Sequence, residues 1–247
     1  MQNNNPEIQK QILDIISNLK IHSDQKYLSG MSRFGISTDN ALGINIPKLR
    51  KLAQIYKKVN NRHELALELW KTKLHEAQLL AIFIDDPKLI TEDQIENWVN
   101  DFNSWDICDQ ACKLFSSTKF AYKKCFEWAD SEKEYVKRAS FSLMAMLAVH
   151  DKKSENEAFI EFFPIIYRDS TDSRNMVKKA VNWALRQIGK RNIELNKSAI
   201  EISKEINKIN NKTSKWISND ALRELQNPKI QQRLFKNSKL NSKTLAI

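Results

Sequence analysis

Apolar residues recur at helical spacing along most of the chain, separated by short polar breaks. Residues 6 to 19 set Ile8, Ile12, Leu13, Ile15 and Ile16 on one apolar face, which predicts an opening helix. Residues 24 to 34 keep the spacing through Tyr27, Met31 and Phe34, but Ser29, Gly30 and Ser32 weaken it, and Gly35 is placed to end it. Pro47 suits the first turn of a helix carrying Leu49, Leu52, Ala53 and Tyr56. One or two helices fill 64 to 85 and break at Asp86-Pro87, and Thr91 with Gln94 reads as a capping box for a helix through Val99. Further helices follow over 105 to 115 and 119 to 129. Ser131 with Glu134 gives a second box for 135 to 149. Residues 155 to 168, 173 to 188, 198 to 209 and 220 to 226 complete the series.

Composition agrees with this pattern. Four glycines and five prolines in 247 residues leave few of the tight turns that β-hairpins need, so the fold class expected is all-α. An offset of 41 superposes VKRASFSL (136 to 143) on VKKAVNWA (177 to 184) through Ala139 and Ala180, and reaches Ala221 in the next helix. Ala77 and Ala111 are separated by 34. Periods near 40 to 47 residues mark HEAT-type helical pairs. The expectation is a HEAT-like helical repeat solenoid, an α-α superhelix whose equivalent helices line a concave basic cleft. One domain over 1 to 235 is expected, and the polar, basic residues 236 to 247 read as a poorly ordered tail.

The formal net charge of +10 suits a polyanionic partner. No segment approaches a membrane span and the N-terminus lacks a signal region, so no membrane is involved and a cytoplasmic location is expected. Cys108, Cys112 and Cys125 suggest neither a disulfide framework nor a zinc site. His22, His63, His75 and His150 are isolated and read as surface or packing residues. No metal and no cofactor are expected.

The chemistry concentrates in DFNSWDICDQACKLF (101 to 115). With Ser104 as cap, Trp105 and Asp109 share one face, while Ile107, Ala111 and Leu114 lie on the other. Read blandly, Trp105 packs on a neighbouring helix and Asp109 is an ion-paired surface acid. Read functionally, the helix offers an aromatic and an acid to a ligand. The stretch 174 to 191 carries Arg174, Lys178, Lys179, Arg186, Lys190 and Arg191 without an acid, and sets Trp183 among the basic residues, as a phosphate-binding face requires. Lys137 and Arg138 precede the small residues Ser142 and Ala145, an arrangement that lets a phosphate backbone approach.

Ser104 to Asp109, Val136-Lys137-Arg138-Ala139 and Lys179 to Arg186 resemble helices of the AlkD-type DNA alkylation repair proteins, which are HEAT-like glycosylases. Leu42 to Pro47 with Arg50 resembles that family's N-terminal helix start. The likeness spans about 30 to 226. It implies hydrolysis of the N-glycosidic bond of N3- and N7-alkylated purines in duplex DNA by a monomer without a cofactor. It implies a catalytic carboxylate at Asp109, flanking aromatics at Trp105 and Trp183, and a basic residue near the lesion at Arg138. DNA contacts are expected from Asn45, Pro47, Arg50, Lys137, Lys178, Lys179, Arg186, Lys190 and Arg191. The alternative is a non-catalytic HEAT-like nucleic-acid-binding or scaffold protein, and RNA is a third possible partner.

Overall fold

A computed structural model describes residues 5–244, and side chains through residue 238. The chain divides after Thr118 into two compact units, a division that falls inside the range read from sequence as one domain. Every regular element among the described residues is helical.

The first unit contains α1 (Pro6–Ile21), α2 (Gln25–Met31), a 3-10 turn (Ser32–Phe34), α3 (Ile46–Tyr56), α4 (Arg62–Lys71), α5 (His75–Ile84), α6 (Glu92–Asn100) and α7 (Trp105–Phe115). Local chemistry explains the boundaries. Gly35 ends the 3-10 turn at φ 73°, Asn45 caps α3 by accepting the Lys48 N–H at 3.0 Å, and Thr91 caps α6 through the Gln94 N–H at 3.1 Å. The uncertain stretch 24 to 34 is thus a short helix that tightens into a 3-10 turn.

Helix α5 packs on α3, α4 and α7. It is buried almost all round, from His75 through Ala81, Ile82 and Ile84. Beside it, Trp70 and Trp98 stack with centroids 4.1 Å apart, and Phe102 meets Trp70 edge-on at 6.2 Å. Because α5 has no solvent face at its start, its polar residues need partners within the protein. Glu76, 0% exposed, accepts the N–H groups of Leu42 at 2.8 Å, Gly43 at 2.8 Å and Ile44 at 3.2 Å. That loop needs glycine: Gly43 has φ 79°, and a Cβ there would lie 2.3 Å from the Asp24 carbonyl oxygen.

The second unit contains α8 (Ala121–Ala129), α9 (Glu134–His150), α10 (Asn156–Ile160), α11 (Phe163–Asp169), α12 (Asn175–Gly189), α13 (Ile193–Lys208), α14 (Lys212–Leu225) and α15 (Pro228–Thr244). Helix α9 packs on α8 and α12, and α12 packs on α13 and α14. Ala139, Ala180 and Ala221, the residues that carry the 41-residue offset, are all fully buried in α9, α12 and α14. The period therefore marks equivalent packing positions.

Several boundaries differ from expectation. The Ser131–Glu134 box does not form: Ser131 accepts the Lys133 N–H at 3.2 Å, while Glu134 reaches the Met176 N–H at 3.0 Å. Helix α13 begins earlier than residue 198 because Asn192 caps it, and α14 begins earlier than residue 220 because Asn211 caps it. Helix α15 runs through Thr244, so most of the segment from Lys236 read as a poorly ordered tail is helical. Residues 245–247 lie outside the described residues.

Glu76→Ala leaves three backbone donors without their shared acceptor. We expect a loss of about 2–4 kcal/mol in unfolding free energy by urea titration, given about 1–3 kcal/mol for each buried group left unsatisfied and partial rescue by water. A loss within experimental error would show that the loop holds its shape without the carboxylate.

Candidate active site

Helix α7 buries Ile107, Cys108, Ala111, Cys112 and Phe115. Ile107 and Ala111 thus lie in the core as the sequence predicts. Leu114 is only half-buried and borders a cavity. Trp105 and Asp109, four residues apart, are both half-buried on the remaining side. The Trp105 indole N–H donates to the Phe34 carbonyl at 2.8 Å, which ties the helix start to the 3-10 turn, and the Phe34 ring is 71% exposed.

Three acids lie in this stretch, and for two of them the partners define a structural role. Asp101 accepts the Trp70 indole N–H at 2.8 Å and pairs with Lys73. Asp106, 7% exposed, accepts from His75 Nε2 at 3.0 Å, from the Ser104 hydroxyl and from the Ile107 N–H at 3.0 Å. Ser104 occupies the cap position, but its hydroxyl is turned to Asp106 and makes no cap bond to the helix backbone. Asp109 is the acid that shares a face with Trp105.

His75 and His63 are paired, contrary to their isolation in sequence. Burial alone would lower the His75 pKa, but the hydrogen bond and charge of Asp106, with the charge of Glu76, raise it above the ordinary 6.5. Burial would raise that of Asp106, yet His75, Ser104 and the Ile107 N–H together hold it below the ordinary 3.8. His63 Nδ1 meets buried Asp85 at 2.6 Å, and Gln94 donates to the same carboxyl at 2.6 Å. Burial pushes the Asp85 carboxyl up despite these partners. The cysteines are buried thiols, and burial also pushes Cys125 up. Among the described residues, no group of three or more His, Cys, Asp or Glu could hold a metal ion.

On α3, Asn45 and Pro47 are exposed and form the helix start. Arg50 is exposed, donates to Gln110 at 3.1 Å and stands over the Phe83 ring at 5.5 Å.

In the second unit, many of the cations anticipated at a phosphate surface are engaged within the protein. Arg138 is 5% exposed and donates to the Met176 carbonyl at 2.8 Å; Ser142 and Ala145 are fully buried, so their face is not an open approach for phosphate. Lys137 pairs with Asp169 at 2.8 Å and lies 3.8 Å from Asp172. Arg191 donates to the carbonyls of Ala148, Asp151 and Ser154 and covers Phe159 at 4.2 Å. Arg186 pairs with Glu224 at 2.5 Å and Lys190 with the same carboxylate at 2.6 Å. Burial would raise the Glu224 carboxyl, but Lys190 and Arg186 outweigh it and hold the group low. Lys178 lies over the Trp216 ring at 5.5 Å, Lys179 is exposed, and Trp183 is half-buried. The stretch 174 to 191 has no acid of its own, but acids from neighbouring elements reach it.

An all-helical chain built of such packed repeats is a HEAT-like repeat protein. Its similarity to a solved structure described as "a new family of proteins related to the HEAT-like repeat DNA glycosylases with affinity for branched DNA structures" has a TM-score of 0.71 at 20% identity, covering 87% of this chain and 95% of that one. A designed armadillo repeat protein in complex with a (KR)4 peptide aligns with a TM-score of 0.32 at 17% identity over 79% of this chain and 82% of its own. No curated protein matches significantly by sequence. The model of the family described as "DNA alkylation repair enzyme" matches residues 15–225, and the chain belongs to that family. No helix among the described residues is long and apolar enough to cross a membrane.

The His75–Asp106 pair gives a pH test. Because the His75 pKa is raised, its stabilisation is complete below the ordinary 6.5 and fades as pH rises through the folded value; that of Asp106, which is lowered, is present above 3.8 and fades as pH falls through its folded value. His75→Gln should therefore destabilise more at about pH 5.5 than at about pH 9 in urea titrations. Equal losses at both would mean that protonation of His75 adds nothing to folded-state stability.

Proposed function

We propose that this chain hydrolyses the N-glycosidic bond of N3- and N7-alkylated purines in duplex DNA and leaves an abasic site without cutting the strand. The observation that carries the reading is the half-buried pair of Trp105 and Asp109 on one face of α7, in a member of a DNA alkylation repair family. An alkyl group at N3 or N7 makes the purine cationic, so the base departs neutral and needs no acid to protonate it. What remains is to stabilise the cation that develops on the sugar and to supply water. A carboxylate does both, by charge and by accepting a hydrogen bond from the attacking water. The Trp105 indole face beside it attracts cationic character, worth about 0.5–2 kcal/mol depending on desolvation. For Trp183 and Arg138, in the second unit, family likeness supports a part in the same reaction. The burial of Arg138 favours a structural contribution through α12 over direct contact with phosphate.

Phosphate contacts are assigned to cations that remain exposed, Arg50 and Lys179, and to Lys178. Lys190 reaches phosphate only in competition with Glu224, and Arg186 in competition with both Glu224 and Asp220. On this reading the protein acts as a monomer without a cofactor and works in the cytoplasm.

A second reading draws on a specific observation. The paired cations of the second unit, and a structural relative described as having affinity for branched DNA, suit a protein that binds DNA structures without releasing a base.

Release of free methylated purine from methylated duplex decides between the two. Asp109→Asn is expected to lower release at least about 10²–10³-fold while DNA affinity stays within about threefold. Wild-type-like release by that variant removes Asp109 from the mechanism, and no release by the wild type, with DNA bound, leaves the second reading. Glu224→Gln should free Lys190 and leave Arg186 facing Asp220 alone at 3.5 Å, tighten duplex binding several-fold at low salt and steepen the salt dependence by about one counterion. An unchanged slope would put Lys190 outside the interface.

A further inference from the structure

Within the first unit, α3, α5 and α7 surround an open cavity of about 540 Å³. Its composition is divided. Phe83, Ile82 and Leu114 give it an apolar floor, while Arg50, Lys57 and Lys113 stand exposed around it. Arg62 also borders it but is paired with Asp86, and the one acid lining it, Asp85, is buried and bonded to His63, Gln94 and the Asp86 N–H. The cationic rim is therefore not neutralised from inside the cavity. Gln54 and Gln110 add amides that can both donate and accept.

This combination narrows the ligand. A bare phosphate needs cations but no aromatic floor, and an apolar molecule needs the floor but not three cations. A group with a flat apolar face, hydrogen-bonding edges and an attached phosphate uses all of them, and that group is a nucleotide. The volume lies within the roughly 300–1,000 Å³ of small-molecule sites. In an intact duplex both faces of each base are covered by neighbouring bases, so only an unpaired nucleotide can present one. Gln110 holds the Arg50 guanidinium at 3.1 Å while it stands 5.5 Å above Phe83, a preformed surface for stacking.

We propose that this cavity receives one unpaired nucleotide of a DNA strand, with its base against Phe83 and the Arg50 guanidinium and its phosphates on Lys57 and Lys113. The inference rests on the reading of the chain as a DNA-binding protein and is independent of base release.

The test compares an unmodified duplex carrying a single unpaired 2-aminopurine with the same duplex fully paired. Stacking predicts that the wild type binds the bulged duplex about tenfold more tightly and quenches the 2-aminopurine emission. Phe83→Leu keeps the charge and most of the apolar volume but removes the ring, and should abolish both the preference and the quenching while paired-duplex affinity is unchanged. Gln54→Trp, on an exposed position of α3, fills the cavity mouth and should do the same if Phe83→Leu does not fold. Equal wild-type affinity for the two duplexes overturns the proposal, as does a preference that survives in folded variants. Binding to neither duplex overturns the DNA reading as well, whereas release of methylated purine by a protein with no bulge preference removes the cavity proposal alone.

Discussion

The first turn of α5 is the constraint on which the first unit depends. Two consecutive ionisable residues, His75 and Glu76, are buried there, and neither can be satisfied by its own helix. Glu76 reaches back to the backbone that leads into α3, and His75 reaches forward to the first turn of α7. Each interaction joins a buried carboxylate to donors that would otherwise lose their water, so breaking either leaves an expensive remainder. The starts of α3 and α7 are thereby referenced to one turn of α5. The side chains proposed to carry function in this unit, Arg50 on one helix and Trp105 with Asp109 on the other, take their positions from that shared reference.

The second unit solves a similar problem with longer reaches. Helices a repeat apart are tied by side chains: Arg138 to the Met176 carbonyl, Glu134 to the Met176 N–H, Asn182 to Asp220 at 2.7 Å and Arg186 to Glu224. Gly189 lets the end of α12 approach α13 and α14, since a Cβ there would lie 2.8 Å from Ala199 and 2.7 Å from Leu225. These ties consume charge. A net charge of +10 describes the far field that draws a polyanion in, but the contacts it finally makes depend on which cations are already committed. Lys137 and Arg191 are committed; Lys179 is exposed, and Lys178 lies over the Trp216 ring.

What was legible in the sequence follows from range. Helical periodicity, the Gly35 stop and the Thr91 cap act within a few residues and could be read directly. The 41-residue offset was legible because equivalent core positions demand the same small residue, as Ala139, Ala180 and Ala221 show. Partners from different helices were not. His75 lies 31 residues from Asp106, and Arg186 lies 38 from Glu224, so a histidine looked isolated and a basic stretch looked unopposed. The cavity around Phe83 was missed for the same reason, since residues of α3, α4, α5 and α7 supply its lining. Asn192 and Asn211, each opening a helix earlier than apolar spacing suggested, were signals that could have been used.

The stretch from Asp101 to Asp109 shows how structure divides labour among like residues. Sequence presents three carboxylates within nine residues of a tryptophan-bearing helix start, and nothing in their types ranks them. Packing does. Asp101 holds the Trp70 indole in the stacked aromatic core, and Asp106 has its acceptor capacity divided among a histidine, a hydroxyl and a backbone N–H in a nearly closed environment. A carboxylate so engaged cannot turn to a developing cation without unmaking the helix start that it supports. Asp109 is one turn further on, half-buried, on the side occupied by Trp105. The role proposed for Asp109 suits that intermediate exposure, with enough burial to strengthen a charge and enough opening for substrate and water to arrive. The same contacts link the two acids, because Asp106 fixes the start of the helix that carries Asp109.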